Sequence, residues 1–299
     1  MNFVSKNKMD IEFILDDSAK YLDLNLNYRL VKFKNRIQKL LFFRQNFQKE
    51  KIISDFVGST FLNKNIYWLI HDIRPIYGYK GKLYAVIYRY LLKTAKNIIV
   101  ISNFTKNEVL NINPTANVIM WKNGIAKEKP VRINEKISYD VIMVGAFVAR
   151  KGHLEALQLL QIYSENHSIQ MKICLAGTKG EILDKIYSHS YKNLILEVNV
   201  GLSEDELKTK WLSSKCTLSN SQYEGFNYTV LESLSLLKNV ILTDIPGHSH
   251  FKDLEGCYFF TDIDSFGIAI KRALSTDLTD VKLSNFDEEI NTENFIKSL

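Results

Sequence analysis

Beyond residue 138 the chain alternates two hydrophobic patterns. Continuous apolar, β-branched runs at 139–145 (YDVIMVG), 171–177 (MKICLAG), NLILEVNVG, CTLSNS and VILTD read as strands buried on both faces. Between them HLEALQLLQIYSE, EILDKIYSHS, EDELKTKWLSS and YTVLESLSLL repeat their apolar residues at helical intervals. Strand and helix taking turns is the rhythm of a parallel sheet covered by helices, whose ligands sit at the carboxyl ends of the strands. Gly145, Gly177, Gly201 and Gly225 fall at or just past such ends. Backbone turns tightly or meets a ligand there, and ordinary turn glycines explain each one equally well when taken alone. Upstream the pattern is less regular. NIYWLIHD and NIIVIS are strands, and KLYAVIYRYLLKTAK between them is a helix with Lys82, Arg89, Lys93 and Lys96 off its apolar side. A second sheet follows from these, with IEFILDD and IISDFVGS as further candidate strands. The stretch from Asn123 to Ser138, with Pro130 and several charges, reads as the linker between the sheets. No internal repeat and no G-x-G-x-x-G loop is present, so a nicotinamide-dinucleotide fold has little support.

Composition sharpens this in two places. At 299 residues, 46% hydrophobic and 24% charged, the chain has globular composition and the length of two domains. The net charge of +6 hides an asymmetry: residues 1–137 hold 24 Lys/Arg against 11 Asp/Glu, and residues 138–299 hold 15 against 22. A basic half beside an acidic half implies different partners, the basic one facing an anionic surface, an anionic substrate or nucleic acid. Cys174, Cys216 and Cys257 are odd in number and far apart, which supports buried thiols over a disulfide framework or a zinc knuckle. The start, MNFVSKNKMD, lacks a signal-peptide core, and no apolar run reaches the ~20 residues of a spanning helix, so a cytoplasmic protein is expected.

The strongest chemical signal is Glu224-Gly-Phe-Asn-Tyr-Thr-Val-Leu-Glu232 after CTLSNS. Eight residues along a helix separate two carboxylates by roughly 12 Å and about 80°, so both can line one cleft. With the helix opening at Gly225, the amides of Gly225, Phe226 and Asn227 would face an anion such as a diphosphate. The two acids would then hold neutral hydroxyls, Glu224 on a sugar and Glu232 on a ribose. For the isolated pair, a helix-stabilising acid and a solvated Glu is the simpler explanation.

The surroundings change that balance. E-x7-E with Gly-Phe after the first Glu resembles the signature of the retaining glycosyltransferase family 4, which has the GT-B fold of two Rossmann-like domains facing across a cleft. VGAFVARKGHLEALQLL resembles the family's first strand, loop and helix of the nucleotide-sugar domain, and MKICLAG the strand after it. VNVGLSEDELKTKWLSSKCTLSNS resembles the stretch carrying the base-binding loop, and NVILTDIPGHSHF a later strand and loop. His71-Asp72, VISNFT and Lys122-Asn-Gly-Ile125 resemble landmarks of the first domain, in the family's order, so the likeness covers about residues 65–260. It implies an α/β GT-B protein with a reduced acceptor-side domain at 1–130. The donor-binding domain would span 138–275, and 276–299 would return towards the first domain.

The resemblance also assigns roles. Glu224, Lys151, Arg150 and His71 would be catalytic; Gly145, Gly177, Val200, Gly225, Phe226, Asn227 and Glu232 would bind the donor. Departure of a nucleoside diphosphate from a sugar C1 develops negative charge on phosphate, which Arg150 and Lys151 can stabilise. Retention would follow from same-face attack with the leaving phosphate accepting the acceptor's proton. No cofactor or metal is implied; Asp262-Ile-Asp264 reads as a solvated loop. Three departures from the family stand out: Ala146 where an Arg is common, Asn227 where a glycine often follows Gly-Phe, and no glycine-rich loop among the 64 residues before NIYWLIHD.

The expected function is retaining transfer of a hexose-type sugar from a nucleoside-diphosphate sugar to a growing surface glycan, such as lipopolysaccharide O-chain or capsule, or to a lipid-linked acceptor. A non-catalytic GT-B-like subunit binding a partner enzyme or glycan is the alternative. Phosphorylase chemistry is a minor third, with no sign of a pyridoxal lysine. Residues 28–51 hold eight Lys/Arg and one Glu interleaved with Phe33, Phe42, Phe43 and Phe47. That pattern, with 80–96, suits an anionic membrane surface better than nucleic acid, although an amphipathic core helix with solvated cations explains it too. The expected location is therefore cytoplasmic, peripheral on the inner face of the cell membrane.

Overall fold

The structure, a computed structural model, describes residues 13–16, 28–31, 38, 52–54, 66–78, 81–126 and 136–298. These fall into two units. One comprises residues 1–122 with 289–299, the other 123–288.

In the first unit β1 (Phe13–Asp16) pairs in parallel with β2 (Tyr28–Val31). A separate four-stranded parallel sheet runs in chain order through β3 (Ile52–Ser54), β4 (Ile66–Ile70), β5 (Asn97–Val100) and β6 (Asn117–Met120). Helices α1 (Lys82–Thr94) and α2 (Asn103–Ile112) make the crossovers, as parallel pairing requires. Trp68, Ile70, Tyr88, Leu91, Leu92, Ile98 and Val100 form its core. Ser102 caps α2 by accepting from the Thr105 amide at 3.1 Å.

The second unit is a six-stranded parallel sheet. Its strands are β7 (Tyr139–Val144), β8 (Met171–Gly177), β9 (Leu194–Val200), β10 (Ser214–Ser219), β11 (Asn239–Thr243) and β12 (Cys257–Phe260). Helices α3 (His153–Asn166), α4 (Leu183–Ser188), α5 (Glu204–Leu212), α6 (Tyr228–Ser235) and α7 (Ile263–Ser275) follow in turn. The final helix, α8 (Glu288–Ser298), falls mostly in the first unit, where Phe295 stacks on Trp121 with centroids 4.5 Å apart.

Spatial order across this sheet is β12-β11-β10-β7-β8-β9. The chain steps outward in one direction from β7 to β9, then returns to β10 on the other side of β7 and steps the opposite way. That reversal makes β7 and β10 neighbours, and the carboxyl ends of two such strands are the place where doubly wound sheets bind ligands. The central strands are apolar throughout because both faces are covered: Val141, Ile142, Ile173, Leu175, Leu218 and Ile241 are buried.

The alternation read from the sequence therefore stands. The helix expected to open at Gly225 begins instead at Tyr228, so the 225–227 amides belong to the preceding loop. Residues 28–51 lie, apart from Tyr28–Val31 and Gln38, outside the described residues, and their first four form a strand rather than a helix.

Candidate functional site

The loops after β7 and β10 are joined by close backbone packing. After β7 the chain passes Gly145, makes a 3-10 turn at Ala149–Lys151 and enters α3 through Gly152 with φ +64°. A Cβ on Gly152 would lie 2.1 Å from the Asn220 carbonyl oxygen, so this position needs glycine for both its conformation and its space. Asn220 donates to the Gly152 carbonyl at 2.9 Å, and the Gln222 amide donates to the Arg150 carbonyl at 2.8 Å. Gly177 ends β8 against Gly145, where an added Cβ would meet the Gly145 carbonyl oxygen at 1.8 Å. Gly247, in the turn after β11, lies against the Glu224 backbone in the same way, at 2.0 Å.

This lacing brings three charged side chains together. Glu224 is 6% exposed. Its Oε1 accepts from Lys151 Nζ at 2.6 Å and Ser221 Oγ at 2.7 Å, and Arg150 Nη1 lies 3.4 Å from Oε1 and 3.5 Å from Oε2. Oε1 is therefore crowded with donors while Oε2 faces a single long contact, leaving acceptor capacity on that oxygen. Two cations converge on this one buried carboxylate beside the amide end of the 14-residue α3, with Glu181 in the field of Arg150 on the outer side. Glu181 accepts from the Ala149 amide at 2.9 Å, and this hydrogen bond lowers its carboxyl pKa.

Below the cluster is a support that no motif announces. His248 is fully buried; its Nδ1 lies 2.8 Å from the Thr243 carbonyl and its Nε2 3.0 Å from Asn227 Nδ2. Nδ1 must carry the proton and Nε2 accept, which requires a neutral ring; burial pushes its pKa down in agreement. The Asn227 amide also donates to Ser219 Oγ at 2.8 Å. The Asn227 side chain is thus spent inside the protein, and only its backbone can face a donor. Phe226 is likewise committed, stacked on His250 at 4.8 Å and packed edge-on against Phe251.

The remaining predicted residues are placed as follows. Glu232, on α6, is exposed to solvent, yet the protein around it and then the nearby Glu204 raise its carboxyl pKa. Val200 ends β9 and is exposed, Gly145 directly follows β7, Gly177 ends β8, and Gly225 is buried in the loop after β10. His71 belongs to the other unit, exposed just past β4, and the neighbouring Asp72 is paired with Arg74 at 2.7 Å. Asp262 of the D-x-D caps α7, accepting from the Ser265 amide at 2.8 Å. Among the described residues no group of three or more His, Cys, Asp or Glu is arranged to hold a metal ion.

The solved structures with a similar fold are GT-B proteins. S. aureus TarM superposes with a TM-score of 0.66 at 18% identity, over 89% of this chain and 56% of TarM. The lipopolysaccharide outer core galactosyltransferase WaaB gives 0.62 at 16%, over 91% and 84%. An alpha,alpha-trehalose-phosphate synthase (UDP-forming) from Burkholderia xenovorans gives 0.63 at 11%, over 89% and 79%. The fold is GT-B, and the chain spans little more than half the length of TarM. The family model for glycosyl transferases group 1 matches residues 125–288, and the chain belongs to that family. No curated protein sequence matches it.

Proposed function

We propose that this protein transfers a sugar from a nucleoside-diphosphate donor, with retention of anomeric configuration, to a surface-glycan acceptor. The observation carrying this reading is the Lys151–Glu224–Arg150 cluster at the point where the strand order reverses. Its paired cations and the α3 terminus suit a diphosphate. As the C1–oxygen bond breaks, charge grows on the leaving phosphate, and cations already fixed in place stabilise it without reorganising. Glu224 holds those cations through Oε1 and keeps Oε2 for a sugar hydroxyl. Glu232 receives the ribose, and the exposed Val200 packs against the base. Arg150 and Lys151 supply the positive charge, so we assign no metal to the step; the leaving phosphate takes the acceptor's proton on the same face. The UDP in the TarM complex makes UDP sugars the first donors to test, and the WaaB likeness supports a lipopolysaccharide-type acceptor.

The test is donor turnover, by hydrolysis or transfer, across a panel of UDP and GDP sugars. Glu224→Gln and Lys151→Ala are each expected to lower kcat by roughly 10²–10³, as loss of one preorganised charge contact does, while EDTA leaves the rate unchanged. Full turnover in both variants, with their folding checked by melting, would remove these residues from the reaction.

A further inference from the structure

Helix α1 carries three faces rather than two. Tyr88, Leu91, Leu92 and Ala95 are buried against the sheet of the first unit, with Tyr84 partly buried beside them. Leu83, Val86, Ile87 and Tyr90 are also apolar, yet Leu83 is 75%, Val86 67% and Tyr90 60% exposed. At about 100° per residue these four share one stripe, roughly 130° around the helix from the buried one. Lys82, Arg89 and Lys93, with Lys96 just beyond the helix end, project along the far flank of that stripe and are all exposed. The helix contains no acidic residue. Acids recorded nearby are already engaged: Glu108 accepts from the Tyr77 hydroxyl at 3.0 Å, and Asp72 is paired with Arg74.

An exposed apolar stripe in a water-facing helix costs solubility and has no partner among the described residues of its own unit. Bordered on one flank by cations alone, it has the layout of a helix lying in a bilayer interface, apolar side chains in the acyl boundary and cations among the headgroups. We infer that α1 docks the protein on an anionic membrane surface. Charge complementarity selects this occupant: an uncharged bilayer would make no use of four exposed cations, and each basic group near an anionic leaflet is worth about fivefold in binding. No helix among the described residues is long and apolar enough to cross a membrane, so the contact is parallel to the surface. The assignment is independent of the donor site.

The full chain is to be sedimented with vesicles of phosphatidylcholine, with and without phosphatidylglycerol, across a salt series. Retention only by phosphatidylglycerol vesicles, weakening with salt, is expected. Arg89→Gln with Lys93→Gln should lower that affinity roughly thirtyfold, and Val86→Ser with Tyr90→Ser should lower it even at low salt. The control pair Lys271→Gln with Lys282→Gln, equally exposed in the other unit, should bind as the parent does. Nucleotide binding should be the same in all of them. Absence of retention, equal loss in the control, or unchanged binding in both α1 variants overturns the inference. So does an α1 variant whose only change is the loss of self-association by analytical ultracentrifugation, which would make the stripe a contact between copies.

Discussion

Lys151 and Glu224 are 73 residues apart in the chain and 2.6 Å apart in space, and removing one partner of such a half-buried ion pair leaves the other with fewer contacts. Replacing Lys151 by Ala is therefore expected to cost about 3 kcal/mol of stability in addition to its effect on turnover, read by urea denaturation. Glycine imposes the second residue-scale constraint. Gly177→Ala would drive a methyl into the Gly145 carbonyl and should destabilise by about 3 kcal/mol; a midpoint within error of the parent would contradict the packing. The sequence showed both acids and both cations because loop chemistry recurs in families as short motifs. It did not show that the Asn227 amide is consumed by His248 and Ser219, or that Phe226 joins a ring cluster with His250 and Phe251. Those partners sit 8 to 25 positions away, at spacings that no periodicity marks.

At the scale of elements, hydrophobic period was enough for the second unit from β7 to β11, since strands covered on both faces and helices packed on them leave strong patterns, while β12 and α7 went unread. It failed where the pattern is short. β2 and β6 are four-residue strands, and β12 (CYFF) has no alternation to mark it. Reading the helix from Gly225 sets α6 three residues early, although its helical period, YTVLESLSLL, begins at Tyr228; Asn227 is a residue type that favours the N-cap, yet it precedes the helix without capping it through its side chain. Asp262 shows the converse. Its D-x-D spacing suggests chemistry, while its position makes it the N-cap of α7, in a reciprocal box with Ser265. Asp262→Ala should cost about 1 kcal/mol and leave donor turnover as it was; a large fall in turnover without a fall in stability would give Asp262 a role at the site.

For the molecule as a whole, two parallel sheets and their order of elements were legible, because βαβ connections allow few topologies. The buried histidines were not, since nothing in a sequence tells a core His from a surface one. Burial pushes His153 and His250 down to about 4, with Lys151 adding to the effect at His153, and burial lowers His248 as well against the opposing hydrogen bond to Thr243. Between roughly pH 6.5 and 4 the unfolded chain therefore binds more protons than the folded one, and stability falls as pH falls through that window. His153 and His250 should each contribute a loss of about 2–3 kcal/mol, opposed in part by Glu232, whose raised pKa acts in the other direction. His153→Phe should flatten the dependence measured by denaturation at stepped pH, and an unchanged slope would contradict it. The central claim, that the loops after β7 and β10 hold a diphosphate, is tested most directly by titration calorimetry of the full chain with UDP and with uridine. UDP should bind the parent, bind a folded Lys151→Ala variant at least about tenfold more weakly, and uridine should bind both proteins weakly and alike. Equal UDP affinity in parent and variant would place the diphosphate elsewhere.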